Sequence, residues 1–182
     1  MNDYSMNMFS IPFSHIQVRN WKEKKKLLSE LSKDSEFITI DTVKTSYSHI
    51  NTEQLVEKLY DILDEEFTIF SEHCGWDKHS WFLTGAWFQI QDPGMFHQIH
   101  NHGHTGFSCV CYLDYDKNSH TPTKFIAPYY NFISGETIYF TPENIKEGSL
   151  IIFPSFLNHY TVPNSESNKQ RKILSFNIEM RY

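Results

Sequence analysis

Cysteine is scarce: the chain has three in 182 residues, Cys74, Cys109 and Cys111. Three cannot build the disulfide framework of a small secreted domain, and their spacing is not that of a zinc ribbon. Cys109 and Cys111 lie two apart in a β-rich stretch and share a face, so they read as small buried apolar side chains in a reducing compartment. No apolar run approaches the ~20 residues of a membrane-spanning helix. The opening stretch, MNDYSMNMFSIPF, has neither a basic n-region nor a continuous apolar h-region, so the expectation is a cytoplasmic protein without a signal peptide or membrane span. Positive charge is in deficit, with 16 Lys and Arg against 22 Asp and Glu and a net charge of −6. That argues against a nucleic-acid partner. The one basic run, Lys22–Lys26, reads as the solvated face of a helix. Nothing is low-complexity, and 40% hydrophobic residues exclude a disordered chain.

Aromatics are plentiful: 15 Phe, 10 Tyr and 4 Trp. Each buries roughly 150–250 Å², enough for a dense core in one domain. Residues 1–78 read as its N-terminal strands and helices and 79–182 as its β core. Strands are expected at 9–18 and 36–41. A helix starts near Asn20, with Leu27, Leu28 and Leu31 on one side. A second helix over about 52–73, capped by Asn51 or Thr52, carries the stripe Leu55, Val56, Leu59, Leu63, Phe67 and Phe70. Beyond residue 78, short β-rich runs are expected at 80–91, 97–102, 107–116, 124–127, 136–140, 149–153, 159–162 and 171–179. Gly, Pro, Asn and Asp punctuate them, which predicts a mainly β jelly roll or small barrel with the helices packed on one sheet.

Histidine is the outlier, with four of ten between positions 97 and 104. In a strand, residues two apart project from one face, so His100 and His102 can offer two imidazoles to one point. The candidate third is His159, after the apolar run Leu150-Ile151-Ile152-Phe153. Imidazole suits Fe, Zn, Cu and Ni. Such a site is expected to fail below about pH 6, where free histidine protonates. His97 is expected on the opposite face, and Gly103 turns the chain before His104. On the last strand, Arg171, Ile173, Ser175 and Asn177 share one face, while Leu174, Phe176 and Ile178 share the other. Arg171, Ser175 and Asn177 inside a roll are costly unless something polar binds there. A guanidinium beside a hydroxyl is suited to a carboxylate. The alternative for Arg171 is a strand start reaching solvent.

The ordered set Trp87-Phe-Gln-Ile-Gln-Asp-Pro93-Gly94, His100-Asn-His102, Ser108-Cys-Val-Cys-Tyr112-Leu113, Gly148 through Phe153-Pro154-Ser155 to His159, Val162-Pro163-Asn164 and Arg171 to Asn177 resembles the 2-oxoglutarate/Fe(II)-dependent dioxygenases of the prolyl-hydroxylase-like group. It is similar, more narrowly, to small oxygenases carried by tailed phages and marine bacteria. The resemblance covers 80–180 well and 9–78 loosely. It implies a double-stranded β-helix. It implies Fe(II) on His100, His102 and His159, with 2-oxoglutarate and O2 as cosubstrates. It implies Arg171 on the distal carboxylate of 2-oxoglutarate, assisted by Tyr112 and Ser175, with Asn177 counted in the same cosubstrate-binding group. The reaction implied is hydroxylation of a peptidyl side chain or small molecule. The superfamily usually has Asp or Glu where His102 stands, so Asp114 is the alternative third ligand.

Two other readings compete. A cupin shares the histidine spacing, but its glutamate is missing from 103–108 and Arg171 has no role in it. A non-catalytic phage-type binding module would hold a closed structural metal, with His104 as fourth ligand. The aromatic stretch Pro128-Tyr129-Tyr130-Asn131-Phe132 reads either as a substrate entrance or as ordinary packing.

Overall fold

A computed structural model describes residues 10–40, 42–47, 52–77, 80–163 and 169–181. Asn51 and Asn164 lie outside these. The elements in order are β1 (Ser14–Gln17), α1 (Trp21–Lys33), β2 (Ile38–Ile40), β3 (Val43–Thr45), α2 (Thr52–Ile62), α3 (Asp64–Cys74), β4 (Trp81–Gln91), β5 (Phe107–Asp114), β6 (Lys124–Tyr130), β7 (Thr137–Phe140), β8 (Ser149–Pro154), β9 (His159–Tyr160) and β10 (Arg171–Met180). Seven strands form one sheet in the order β1-β8-β5-β10-β4-β3-β2, and three form a second, β7-β6-β9, with every pairing antiparallel. This is the jelly roll that the punctuation predicts.

The alternation on β10 decides its two faces. Leu174, Phe176 and Ile178 join the outer core, where Leu28 of α1, Leu59 of α2 and Phe67 and Phe70 of α3 cover the large sheet. Cys109 and Cys111 sit in that core as well, and burial pushes both thiols up. Ile173 faces the other way, into the space between the sheets, with Val110, Tyr112, Phe125, Ile151 and Phe153. The expected long helix is instead two, broken at Leu63, whose φ and ψ are −112° and 19°. The bend lets Leu59 and Leu63 before it and Phe67 and Phe70 after it all reach one sheet. Leu27 is 48% exposed, so the first helix buries Leu28 rather than the whole trio. Nor is Lys22–Lys26 simply a solvated face. Lys24 pairs with the fully buried Glu66 (2.8 Å) and Lys25 with Asp114 (2.9 Å) and Glu147 (3.0 Å), which ties α1 to α3 and to the sheet.

Gly106 leads the chain into β5 at φ 73°, and a Cβ there would meet the Ile178 carbonyl oxygen at 2.2 Å. Gly106→Ala is therefore expected to cost about 3 kcal/mol from positive φ and overpacking together. In a chain of this size that lowers the melting temperature by about 6–12 °C, as a thermal melt followed by circular dichroism will read.

Candidate metal centre

The segment 97–102 is not the strand its alternation suggests. It runs beside β9 through a single isolated bridge. His100 N–H donates to the His159 carbonyl (3.1 Å), His159 N–H donates back (2.9 Å), and His102 N–H donates to the Ser155 carbonyl (2.9 Å). The strand it bridges, β9, has only two residues, which leaves no ladder for the segment to continue. The bridge is enough to set His100 and His159 side by side. The ligand atoms of His100, His102 and His159 lie within 4.8 Å of one another.

The tautomers are fixed as well. His100 Nδ1 donates to the Gln98 carbonyl (2.7 Å), His159 Nδ1 to the Leu157 carbonyl (2.9 Å) and His102 Nδ1 to Asn177 Oδ1 (2.9 Å). Each acceptor is an oxygen, so each Nδ1 carries the proton and each Nε2 keeps its lone pair for a cation. Three imidazoles of this kind suit a divalent first-row metal. Asp114 is elsewhere, half-exposed at the end of β5 on Lys25, and His104 is exposed and outside the cluster. Among the described residues the cluster therefore has three ligands, which leaves room for exogenous ones, unlike a closed four-ligand site.

His97 does not face away. Its ring lies on that of His100, with centroids 3.9 Å apart. Its Nδ1 accepts from Gln89 Nε2 (3.1 Å), so its proton sits on Nε2, the opposite tautomer to the other three. Its backbone N–H donates to Thr161 Oγ1 (2.8 Å), and its carbonyl accepts from Thr161 N–H (3.1 Å).

Arg171 is 1% exposed, and no carboxylate among the described residues pairs with it. Nη1 donates to Gln91 Oε1 (2.6 Å) and Nη2 to Thr123 Oγ1 (3.2 Å), the guanidinium lies over the Tyr112 ring, and Nε has no partner. A buried cation left this way is costly without an anionic partner. An inner cavity lies between the imidazoles and Thr123, Thr161, Ile173 and Ser175. Tyr112 acts at one remove, since its hydroxyl donates to Thr123 Oγ1 (3.2 Å) and accepts from Thr123 N–H (3.0 Å). Asn177 Oδ1 accepts from His102 Nδ1 (2.9 Å) and from Ser108 Oγ (3.1 Å).

Thr123 and Thr161 drew no notice in the sequence, and Gln89 and Gln91 entered only inside the stretch Trp87–Gly94 that carries the resemblance, with no role of their own. Two glutamines two apart in an otherwise apolar strand, both buried, were the available signal. β10 pairs with β4 so that Gln91 lies opposite Arg171 and Gln89 opposite Ile173. The stretch Pro128–Phe132 lies on the exposed β6–β7 hairpin, so it is not ordinary core packing, and it is not among the residues lining the two cavities at the imidazoles.

Burial lowers the pKa of all four imidazoles, His97 to about 3 and His159 well below its usual value. The neighbouring imidazoles add to the effect on His97, His100 and His159. Burial favours the neutral, metal-binding form of each ring, which moves proton competition with a metal below the range of a free histidine. Stability moves as well. An unfolded histidine has a pKa near 6.5, so below that pH the unfolded chain binds more protons and stability falls with pH. His97 alone removes about 2 kcal/mol by pH 5. Thermal melts of metal-free protein from pH 7 to 5 are expected to show a steep fall, with the metal-loaded protein falling later.

A protein-family profile described as "Putative 2OG-Fe(II) oxygenase" matches residues 85–177. No curated protein matches the sequence. Solved structures share the fold. A 2OG-Fe(II) oxygenase family oxidoreductase from Burkholderia pseudomallei superposes with TM-score 0.66 at 12% identity, covering 92% of this chain and 84% of that one. A Pseudomonas putida prolyl-4-hydroxylase gives 0.64 at 15% identity, covering 95% of each. HygX from Streptomyces hygroscopicus, solved with nickel and 2-oxoglutarate bound, gives 0.64 at 8% identity, covering 94% and 84%.

Proposed function

The chain belongs to the 2OG-Fe(II) oxygenase family, and from that premise we propose that His100, His102 and His159 hold its Fe(II) and that Arg171 grips the distal carboxylate of 2-oxoglutarate. The enzyme uses Fe(II), 2-oxoglutarate and O2. When bound, the iron supplies the oxidising chemistry, in which 2-oxoglutarate is decarboxylated to succinate as the prime substrate is hydroxylated. The chain's own residues do the rest. The Nδ1–H bonds fix three rings with Nε2 free. Thr123 and Gln91 aim the guanidinium, and Thr123 and Ser175 line the inner cavity together with the imidazoles. Val110, Phe153 and Ile173 give the inner cavity an apolar wall, beside which charge-assisted bonds to a diacid are stronger than in water. The prime substrate is a peptidyl side chain or small molecule that reaches the imidazoles from the outer side.

The observation that carries this reading is that one ring nitrogen from each of His100, His102 and His159 lies within 4.8 Å of the others. A cupin reading gives the buried Arg171 no task, and a closed structural site has no fourth ligand here. The test is anaerobic addition of Fe(II) and 2-oxoglutarate, followed by visible absorption and then by succinate formed in air. A weak metal-to-ligand charge-transfer band and slow substrate-free succinate are expected. Stoichiometric metal with neither band nor succinate refutes the proposal.

A further inference from the structure

A second cavity, a cleft of about 350 Å³, lies against His97, His100 and His102. One wall is the imidazoles with Asn101 and Asn177, and the other is Ile40, Val43, Tyr47 and Trp87. No Asp, Glu, Lys or Arg is among the described residues that line it. The apolar wall comes largely from the β2–β3 hairpin and the residues after it, which precede the stretch 85–177 matched by the family profile. The wall is fixed to the roll. Lys44 and Thr45 pair with Ile90 and Gln89 of β4. Ser46, fully buried, donates its N–H to the Phe88 carbonyl (3.0 Å) and accepts from Phe88 N–H on its hydroxyl (2.9 Å). Thr42 Oγ1 donates to the Phe96 carbonyl, which ties the hairpin to the segment that carries the histidines. Tyr47 stands edge-on to Trp87 at 5.1 Å and 89°, yet is 62% exposed, and Trp87 in turn lies 5.5 Å from the His102 ring.

We infer that this cleft receives the prime substrate and selects an uncharged, apolar group, an aliphatic ring or branched chain, laid against the Tyr47–Trp87 corner. The inference rests on the oxygenase reading of the imidazoles and goes beyond it to substrate class. A charged group brought into the cleft leaves water without meeting an opposite charge among the described lining residues, which is costly. An apolar group gains by covering Ile40, Tyr47 and Trp87. The size is that of a small-ligand site rather than of a flat docking surface. Because the hairpin is bonded to both β4 and the histidine segment, the corner is preformed and little ordering is needed on binding.

The test uses whole protein loaded with Zn(II) and 2-oxoglutarate, four N-acetyl amino-acid amides (leucine, proline, lysine and glutamate) and saturation-transfer NMR titration. The leucine and proline amides are expected to bind at least ~10-fold more tightly than the lysine and glutamate amides. Tyr47→Ala, at an exposed position, is expected to weaken the neutral pair about 10-fold. Ile40→Glu is expected to make the lysine amide the preferred probe. Calorimetry of 2-oxoglutarate on each protein separates the causes. If the diacid binds but charged and neutral amides bind alike, or Tyr47→Ala changes nothing, the substrate inference is overturned alone. If the diacid fails to bind wild-type protein, the oxygenase reading of the site falls and takes this inference with it.

Discussion

Arg171→Met is expected to weaken 2-oxoglutarate binding by about two to three orders of magnitude. Removing one partner of a buried, hydrogen-bonded charge pair costs about 3–5 kcal/mol, much of it from the charge left behind. Here the charge left behind is the diacid's distal carboxylate, in a cavity walled by Val110, Phe153 and Ile173. Arg171→Lys keeps the charge and loses the planar fork, so it should lie between the two. The measurement is calorimetric titration of 2-oxoglutarate into Co(II)-loaded protein, with metal content checked in each variant. Metal content should not change, because the guanidinium touches none of the three imidazoles. Unchanged diacid affinity in Arg171→Met would mean that the buried guanidinium serves the fold alone.

His159→Ala is expected to lose the metal. Four-ligand zinc sites are worth about 10–16 kcal/mol, roughly 2.5–4 per ligand, so one lost imidazole costs about two to three orders of magnitude in affinity. The same loss appears as stability. Metal at 100 times its Kd stabilises the folded state by about 2.7 kcal/mol, or about 5–11 °C in a protein of this size. Wild-type protein should therefore drop by that amount on chelation, while His159→Ala should melt at one temperature with or without metal. Two other imidazoles make the comparison specific. His104→Ala should behave as wild type, since His104 is exposed and outside the cluster. His97→Ala should still bind metal, since Gln89 donates to its Nδ1 and leaves its Nε2 protonated. Metal retained by His159→Ala at wild-type affinity would remove the basis of the site.

Much of this was legible because it depends on local spacing. Alternation on β10 separated Leu174, Phe176 and Ile178 from Arg171, Ser175 and Asn177, and that is how the two faces divide. The histidines at i and i+2, with a third beyond an apolar run, were found in the same way. What was not legible depended on partners far along the chain. His97 has the strand parity to face away from His100, but the segment is held by one bridge to β9 rather than by a ladder, so parity does not govern it. Thr161 instead fixes its backbone from both sides. Asn177 shares a face of its strand with Arg171 and Ser175, and only the closing of the roll brings His102 against it. The bend at Leu63 answers to the sheet beneath, which no helical period can report.

The amino-acid order alone settled the mainly β roll and the helices on one sheet, and it supplied the imidazoles and the guanidinium from which the proposed site is argued. Period and residue chemistry act within a few positions, and these features need nothing more. Tertiary structure decided which ring nitrogen is free, how far burial holds the imidazoles neutral, and that the β2–β3 hairpin walls the outer cleft. Each of those is set by atoms that come from distant parts of the chain and meet only when the two sheets close.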